Sequence, residues 1–290
     1  MPVTQPDAET IARRLHGLIE PLHAFYYFAT ETREAYEGIG LKGFAQCYVA
    51  GRAAPMGAVG PGVARATFFN FHPQVMERAL PSAWEIASPT AVLEARANAV
   101  ERMFARIEAP TDGLAEATAL AREAAAAADL AGRPLAAGNA DVATPGSPYA
   151  DLWQALAVLR EHRGDGHVAL LTSSRLHPVE VLVLHGAWQP GLDADILKRS
   201  RQWGQDEWDA AVQRLRERGW LDDDGALTED GSAWRSRLES DTDALAAGPY
   251  EALGADASRR LFDLLTPIAQ TLADSGAFPM PIRIPRPFDT

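Results

Sequence analysis

Apolar side chains recur at helical spacing through the N-terminal half of this chain. Ile11, Leu15 and Leu18 share one face of a helix that begins near residue 10, and Pro21 is expected to kink or break it because proline lacks a backbone N–H. Ser88 followed by Pro89 is typical of an N-cap and a first helical residue, which predicts a helix to about residue 107. A long alanine-rich helix is predicted over residues 114–130. The pattern therefore predicts an all-helical N-terminal half.

A segment rich in glycine and proline, residues 132–149, follows these helices. Such a composition is typical of a connection between domains, because both residue types interrupt regular structure. We therefore predict an N-terminal helical domain over residues 1–140 and a second region over residues 141–290.

The second region contains the spacing of a winged helix-turn-helix over residues 178–245. Three helices are predicted over 179–187, 192–201 and 205–218, and a fourth over 229–245. Asp224-Gly225 lies between two short apolar runs and predicts a hairpin turn, and hence a small two-stranded wing. A last helix is predicted over 257–274, and the proline-rich tail after it is expected to lie extended on another surface. The predicted fold class is mainly α.

A polar motif interrupts the apolar pattern near the middle of the chain. Gly164 or Gly166 is predicted to end a helix that starts at Pro148, so that His162 closes this helix and His167 opens the next. In this corner Asp165 can orient His167 as a general base, and Arg163 can bind an anion. A purely structural role is the alternative, since the helix dipole accounts for His162 and N-capping accounts for Asp165. The predicted catalytic residues are His167, Asp165 and Arg163.

A second polar set lies in the first hundred residues. His23 and Tyr27 share a helical face, and Arg52 and Asn70 each lie within an apolar stretch. A polar group buried there without a partner costs about 1–3 kcal/mol, so each needs the backbone, another side chain or a ligand. We predict that His23, Tyr27, Arg52 and Asn70, together with His162, bind a ligand.

Composition restricts the partners and the location. The 290 residues carry a formal net charge of −12, and residues 178–250 carry fifteen acidic and eight basic side chains, which disfavours contact with nucleic-acid phosphates. The single cysteine, Cys47, excludes an internal disulfide, and it is expected in the core. The sequence has no signal-peptide pattern and no apolar run of membrane-spanning length, which predicts a cytoplasmic protein. A homodimer is compatible with the pattern.

Several short motifs carry a family resemblance over nearly the whole chain. They are Gly51-Arg52-Ala53-Ala54-Pro55, Phe69-Asn70-Phe71, Pro81-Ser82-Ala83-Trp84 and the segment from Leu159 to His167. On these motifs the chain resembles a large actinobacterial family of proteins labelled helix-turn-helix. The resemblance implies a helix-turn-helix fold, and it implies no particular activity.

Three functional hypotheses follow from these patterns. The first is a small-molecule-binding protein, including an enzyme of a biosynthetic or tailoring pathway, with its pocket between the N-terminal domain and the corner at 162–167. The second is a ligand-responsive winged-helix transcription regulator. The third is a haem or metal protein that uses His23, His162 or His167. The sequence identifies no cofactor.

Overall fold

The computed structural model of the protein describes residues 6–189 and 191–288, and helices form most of this part of the chain. The helices before the central one are α1 (Ala8–Ala24), α2 (Thr30–Gly38), α3 (Gly43–Ala53), α4 (Pro61–Thr67), α5 (Pro73–Ala79), α6 (Ser82–Ile86), α7 (Pro89–Arg106), α8 (Leu114–Ala126) and α9 (Pro134–Ala140). Those that follow are α10 (Pro148–Ser173), α11 (Pro178–Trp188), α12 (Ala194–Arg201), α13 (Gln205–Glu217), α14 (Glu229–Ala246), α15 (Gly248–Leu253) and α16 (Ala255–Ser275). Short 3-10 turns span Phe25–Tyr27 and Ala54–Met56. The prediction of a mainly α protein is confirmed.

Local capping explains where several helices begin and end. The Ser88 side chain accepts a hydrogen bond from the N–H of Ala91, so α7 begins where the Ser-Pro pair predicts. The predicted break at Pro21 was wrong. Pro21 lies in the last turn of α1, and the N–H of Phe25 closes that turn on the Pro21 carbonyl. Proline is tolerated here because little helix remains beyond it.

The predicted corner at residues 162–167 was also wrong, because α10 continues for 26 residues through both glycines. Gly166 serves close packing instead of helix termination. A Cβ at Gly166 would lie 2.9 Å from Nη1 of Arg133 and 3.4 Å from Cβ of Leu245. Asp165 does cap a helix, as its residue type suggested, but it caps α9: its carboxylate accepts from the N–H groups of Leu135 (2.9 Å) and Ala136 (3.0 Å).

Helix α10 is the element around which the described chain packs, since α1, α7, α8, α9 and α14 all contact it. Its first half belongs to an apolar core shared with α1–α8 and with α15 and α16. Its last residues belong to a second core shared with α11–α14. The C-terminal tail packs on the first core, as predicted, through Phe278, Ile282 and Phe288. The division at residue 140 stays a prediction.

Helices α11–α13 form a three-helix unit around Trp203, Trp208 and Leu215. The predicted two-stranded wing was wrong: in residues 219–229 the structure has one antiparallel bridge, between Leu221 and Leu227. The arms have no room to extend, because the Thr228 side chain already caps α14 by accepting from the N–H of Gly231.

No helix in residues 6–189 and 191–288 is both long enough and apolar enough to cross a membrane.

Candidate functional site

A chain of ion pairs, buried at Glu161 and half-exposed at Glu20, joins α1, α3 and α10. Arg52 donates to both carboxylate oxygens of Glu161, through Nε at 3.1 Å and Nη2 at 3.0 Å. Arg160 donates to Glu161 at 3.0 Å and to Glu20 at 2.9 and 3.2 Å. Although burial raises the pKa of Glu161, the charges of Arg160 and Arg52 lower it to about 2. The partner that Arg52 requires is therefore a carboxylate of the protein itself.

A row of aromatic rings runs beside these ion pairs. The His23 ring stacks on Trp153 with centroids 4.6 Å apart and meets Tyr27 edge-on at 5.6 Å. Tyr27 contacts Tyr48 at 4.8 Å, and Tyr48 contacts Phe71 at 5.2 Å. The row therefore connects α1 to the loop after α4 without a break.

Two arginines cover the far end of this row. The Arg52 guanidinium lies 4.7 Å from the centre of the Phe68 ring, and that of Arg201, at the end of α12, lies 4.5 Å from the centre of Phe71. We call the whole group the arginine–aromatic cluster; its members are Glu20, His23, Tyr27, Tyr48, Arg52, Phe68, Phe71, Arg160, Glu161 and Arg201. The formal charge of the cluster is +1, because its arginines outnumber its glutamates by one.

Two buried nitrogens of the cluster have no hydrogen-bond partner among the described residues: Nδ1 of His23 and Nε of Arg201. Burial lowers the pKa of His23 to about 3, so this imidazole is neutral near pH 7. Burial also lowers the pKa of Arg201, and the charges of Arg52 and Arg160 act in the same direction. A cation in this setting favours an anionic or strongly accepting partner.

Tyr27 and Tyr48 also line an open cleft of about 280 Å³ between α2 and α3. The hydroxyl oxygen of Thr32, on the wall of this cleft, is buried and has no partner in the described chain. Cys47 lines the cleft as well, and burial raises the pKa of its thiol to about 11, so it is a poor nucleophile at neutral pH. The cleft is close to the lower size limit of small-molecule sites.

The three predicted catalytic residues lie elsewhere, with partners on other helices. His167 Nδ1 lies 3.0 Å from the Thr242 hydroxyl, and Arg163 donates to Asp243 at 2.8 Å. Asp165 and His167 are two residues apart on one helix, so they point to different faces and Asp165 does not orient the imidazole. The structure thus brings His23, Tyr27 and Arg52 together and separates them from the predicted catalytic set.

The other two predicted ligand-binding residues contribute through their backbones. The His162 carbonyl accepts from Arg133, and burial lowers the pKa of the His162 ring to about 4. The Asn70 carbonyl accepts from the Trp203 indole at 2.9 Å, which places the loop before Phe71 against α12.

Sequence reasoning missed several buried charges that the structure places on α7 and α10, namely Arg96, Arg160 and Glu161. A periodicity argument identifies Arg96, because Val92, Ala99 and Val100 lie on the same helical face and are buried. Arg96 is itself only 4 % exposed. An arginine within an apolar stripe therefore predicts a buried guanidinium.

In the described part of the chain, the three-helix unit lacks free basic side chains along α13, the helix that would contact DNA bases. Nε of Arg214 donates to Glu180 at 2.5 Å, Arg216 donates to the carbonyls of the 222–223 turn, and Arg218 donates to the Ser174 carbonyl at 3.0 Å. The arginines in the last turn of α13 and directly after it therefore all form hydrogen bonds or ion pairs within the protein. Bases are normally read from the N-terminal turns of this helix, and that end is acidic here.

The N-terminal end of α13 also faces the N-terminal half of the chain. Glu207 lies 3.4 Å from Nε2 of His72, and the backbone N–H of His72 donates to the Arg201 carbonyl at 3.0 Å. The turn between α12 and α13 is thus docked on the loop at residues 68–72.

No group of three or more His, Cys, Asp or Glu side chains in the described part of the chain could hold a metal ion. The hypothesis of a haem or metal protein stays a prediction. Among the described residues, no set of further metal-binding side chains gathers around His23, His162 or His167.

Comparison with curated proteins and with solved structures finds no match to the chain. The sequence profile of a helix-turn-helix family matches residues 12–279, which include the central helix, the three-helix unit and the arginine–aromatic cluster. The chain therefore belongs to this helix-turn-helix family.

Proposed function

We propose that the protein binds a small molecule at the arginine–aromatic cluster, reached through the cleft beside Tyr27 and Tyr48. One observation carries the proposal: three buried polar atoms near this tyrosine pair have no partner among the described residues, namely His23 Nδ1, Thr32 Oγ1 and Arg201 Nε. The His23 ring contacts Tyr27, Thr32 lines the cleft with both tyrosines, and Arg201 lies over Phe71, which contacts Tyr48. Each such atom costs about 1–3 kcal/mol when it stays unpaired. A ligand with complementary polar groups would offset this cost.

The cluster supplies distinct kinds of contact for such a ligand. The cleft wall is aromatic and fits an apolar body, and the neutral imidazole of His23 can exchange a hydrogen bond with a polar group. Arg201 offers the excess positive charge. Glu161 holds Arg52 and Arg160 in fixed positions around the site.

Thr32→Val tests this proposal, because it removes the unpaired hydroxyl and keeps the shape of the side chain. We expect the melting temperature of the ligand-free protein to rise slightly, since an unsatisfied buried group is lost. We also expect a ligand that the wild-type protein retains in native mass spectrometry to be depleted in the variant.

Thr118→Val is the matched control. The Thr118 hydroxyl is buried and donates to the Leu114 carbonyl at 2.8 Å, away from the cleft. This variant should lose about 1 kcal/mol of unfolding free energy and keep the ligand. Equal ligand occupancy in both variants would contradict the proposal.

A ligand-responsive transcription regulator is the second candidate, and membership of a helix-turn-helix family favours it. DNA contact by the start of α13 would require this end to separate from the loop at residues 68–72. The test is retardation of promoter DNA, with and without the retained ligand. A regulator predicts retardation that weakens by orders of magnitude between about 50 and 200 mM salt. Absence of retardation at the low salt concentration counts against this candidate.

A further inference from the structure

Arg96 is a buried cation whose hydrogen-bond acceptors are all neutral. It donates to Gln154 Oε1 at 2.8 Å, to Asn139 Oδ1 at 3.5 Å and to the Gly51 carbonyl at 3.4 Å. Three of the arginines described above, Arg52, Arg160 and Arg163, each pair with a carboxylate at 3.3 Å or less, whereas Arg133 donates to backbone carbonyls. A guanidinium that is 4 % exposed and has only amide and carbonyl acceptors lacks a countercharge.

The acceptors of Arg96 are fixed in place by bonds of their own. The Gln154 amide nitrogen donates to the Asn139 carbonyl at 2.8 Å, and the Asn139 amide nitrogen donates to the Leu135 carbonyl at 2.9 Å. Both amide oxygens therefore point toward Arg96. This network orients the guanidinium without neutralising it.

Arg96 also lines an open cleft of about 460 Å³ between α7 and residues 142–147. Its guanidinium lies 5.0 Å from the centre of the Trp153 ring, which lines the same cleft. The rest of the wall is mostly apolar and includes Leu93, Ala97, Val100, Val142, Ala143, Pro145 and Ala150. Glu94 contributes an exposed carboxylate to this lining.

We propose that this cleft binds an organic monocarboxylate, with the carboxylate on Arg96 and an aromatic or aliphatic body against Trp153 and the apolar wall. A carboxylate matches the planar donor geometry of a guanidinium. A single arginine balances one negative charge, and Glu94 opposes a second one, so a phosphate dianion fits less well. The lining of this cleft includes no member of the arginine–aromatic cluster, although its Trp153 stacks on His23 of that cluster.

Calorimetric titration of the full chain with benzoate, and with its neutral isostere benzamide, tests the charge requirement. We expect benzoate to bind at least about tenfold more tightly than benzamide. Equal affinities, or no heat of benzoate binding, would overturn the inference.

Gln154→Glu tests the role of Arg96 without removing it, because the new carboxylate takes the place of the amide oxygen beside the guanidinium. We expect the benzoate affinity to fall by about tenfold or more, because the new carboxylate neutralises Arg96. Asn98→Asp adds the same charge at an exposed position of the same cleft, and it should change the affinity by less than about threefold. If the two variants weaken benzoate binding equally, the effect is general charge repulsion in the cleft and not the loss of contact with Arg96. That result would overturn the inference.

Arg201→Gln locates the bound probe. If benzoate occupies the Arg96 cleft, this variant keeps the wild-type affinity. Loss of benzoate binding in Arg201→Gln would place the probe at the arginine–aromatic cluster, which overturns this inference and supports the proposed function.

Discussion

Charged side chains in the interior of this protein are stabilised in different ways. Arg52 and Arg163 pair with carboxylates, whereas Arg96 has only neutral acceptors. The Asp165 carboxylate is held by two backbone N–H groups, yet burial raises its pKa to about 6. Interior charges here are thus held by carboxylates or by backbone groups, and Arg96 differs because it is buried beside a cleft with neutral acceptors only.

Replacement of Glu161 by Gln should be among the most damaging changes of one side chain. Arg52 would lose its carboxylate partner, and Arg160 would keep only Glu20. We expect the free energy of unfolding, measured by urea titration at pH 7.5, to fall by about 3–5 kcal/mol. Glu34→Gln breaks an ion pair with Arg102 whose two side chains are each 49 % exposed, and it should cost less than about 1 kcal/mol. Similar losses in the two variants would contradict a buried role for Glu161.

The helix α10 determines which residues meet, because each of its faces contacts a different part of the chain. Arg160 and Glu161 face α1 and α3, whereas Arg163 and His167 face α14. Asp165 faces α9. Residues that are close in sequence here therefore belong to separate environments, and one helix connects the cluster to the three-helix unit.

Two glycines of α10 allow a matched test of this packing. Gly164→Ala should be neutral or stabilise the protein by up to about 1 kcal/mol, since its Cβ finds 3.4 Å to the nearest atom and alanine favours helix. Gly166→Ala should be less stable than Gly164→Ala by about 1–2 kcal/mol, because Nη1 of Arg133 must move away from the new Cβ and give up its bond to the His162 carbonyl. The measurement is urea unfolding of both variants. Equal unfolding free energies of the two variants would show that α10 and α14 pack loosely around residue 166.

Apolar periodicity predicted the long helices and the three helices α11–α13, and the Ser88-Pro89 pair predicted the start of α7. The short helix α9 lies within the segment predicted as a connection. It failed at residues 164 and 166, because a glycine placed for close approach has the same sequence appearance as one placed for helix termination. The site was predicted in part. His23 and Tyr27 could be selected because they share a helical face, and Arg52 because a charge in an apolar stretch requires a partner. The identity of that partner, Glu161, could not be predicted, because it lies more than a hundred residues from Arg52 in the chain and local sequence patterns do not report such contacts.

On the scale of the whole molecule, the two ends of the described chain meet. Arg14 of α1 donates to the Arg286 carbonyl at 3.0 Å, and Phe288 packs on Phe262 of α16 with ring centroids 5.0 Å apart. Helices from both halves thus enclose α10. This enclosure removes titratable groups such as His23 and Glu161 from water.

The pH dependence of stability follows from four histidines, of which His23 and His162 are buried and His16 and His167 are half-buried. Burial lowers the pKa of His23 to about 3 and those of His16, His162 and His167 to about 4. Unfolded histidines protonate near pH 6.5, so between pH 6.5 and about 4 the unfolded chain binds more protons and acidification favours unfolding. We expect each of these histidines to remove about 1 kcal/mol of unfolding free energy between pH 7.5 and 5.5.

Urea titrations at pH 7.5, 6.5 and 5.5 measure this decline. Asp165 opposes it by about 1 kcal/mol, because burial raises its pKa to about 6 and the folded protein takes up this proton between pH 7.5 and 5.5. Although burial raises the pKa values of Glu161 and Glu239, their arginine partners lower them to about 2, so this stabilisation is lost only as the pH falls from about 4.5 toward 2. His162→Gln removes one titrating group and should reduce the loss by about 1 kcal/mol. An unfolding free energy that stays constant down to pH 5.5 would contradict the burial of these rings, and with it the neutral His23 on which ligand contact in the cluster depends.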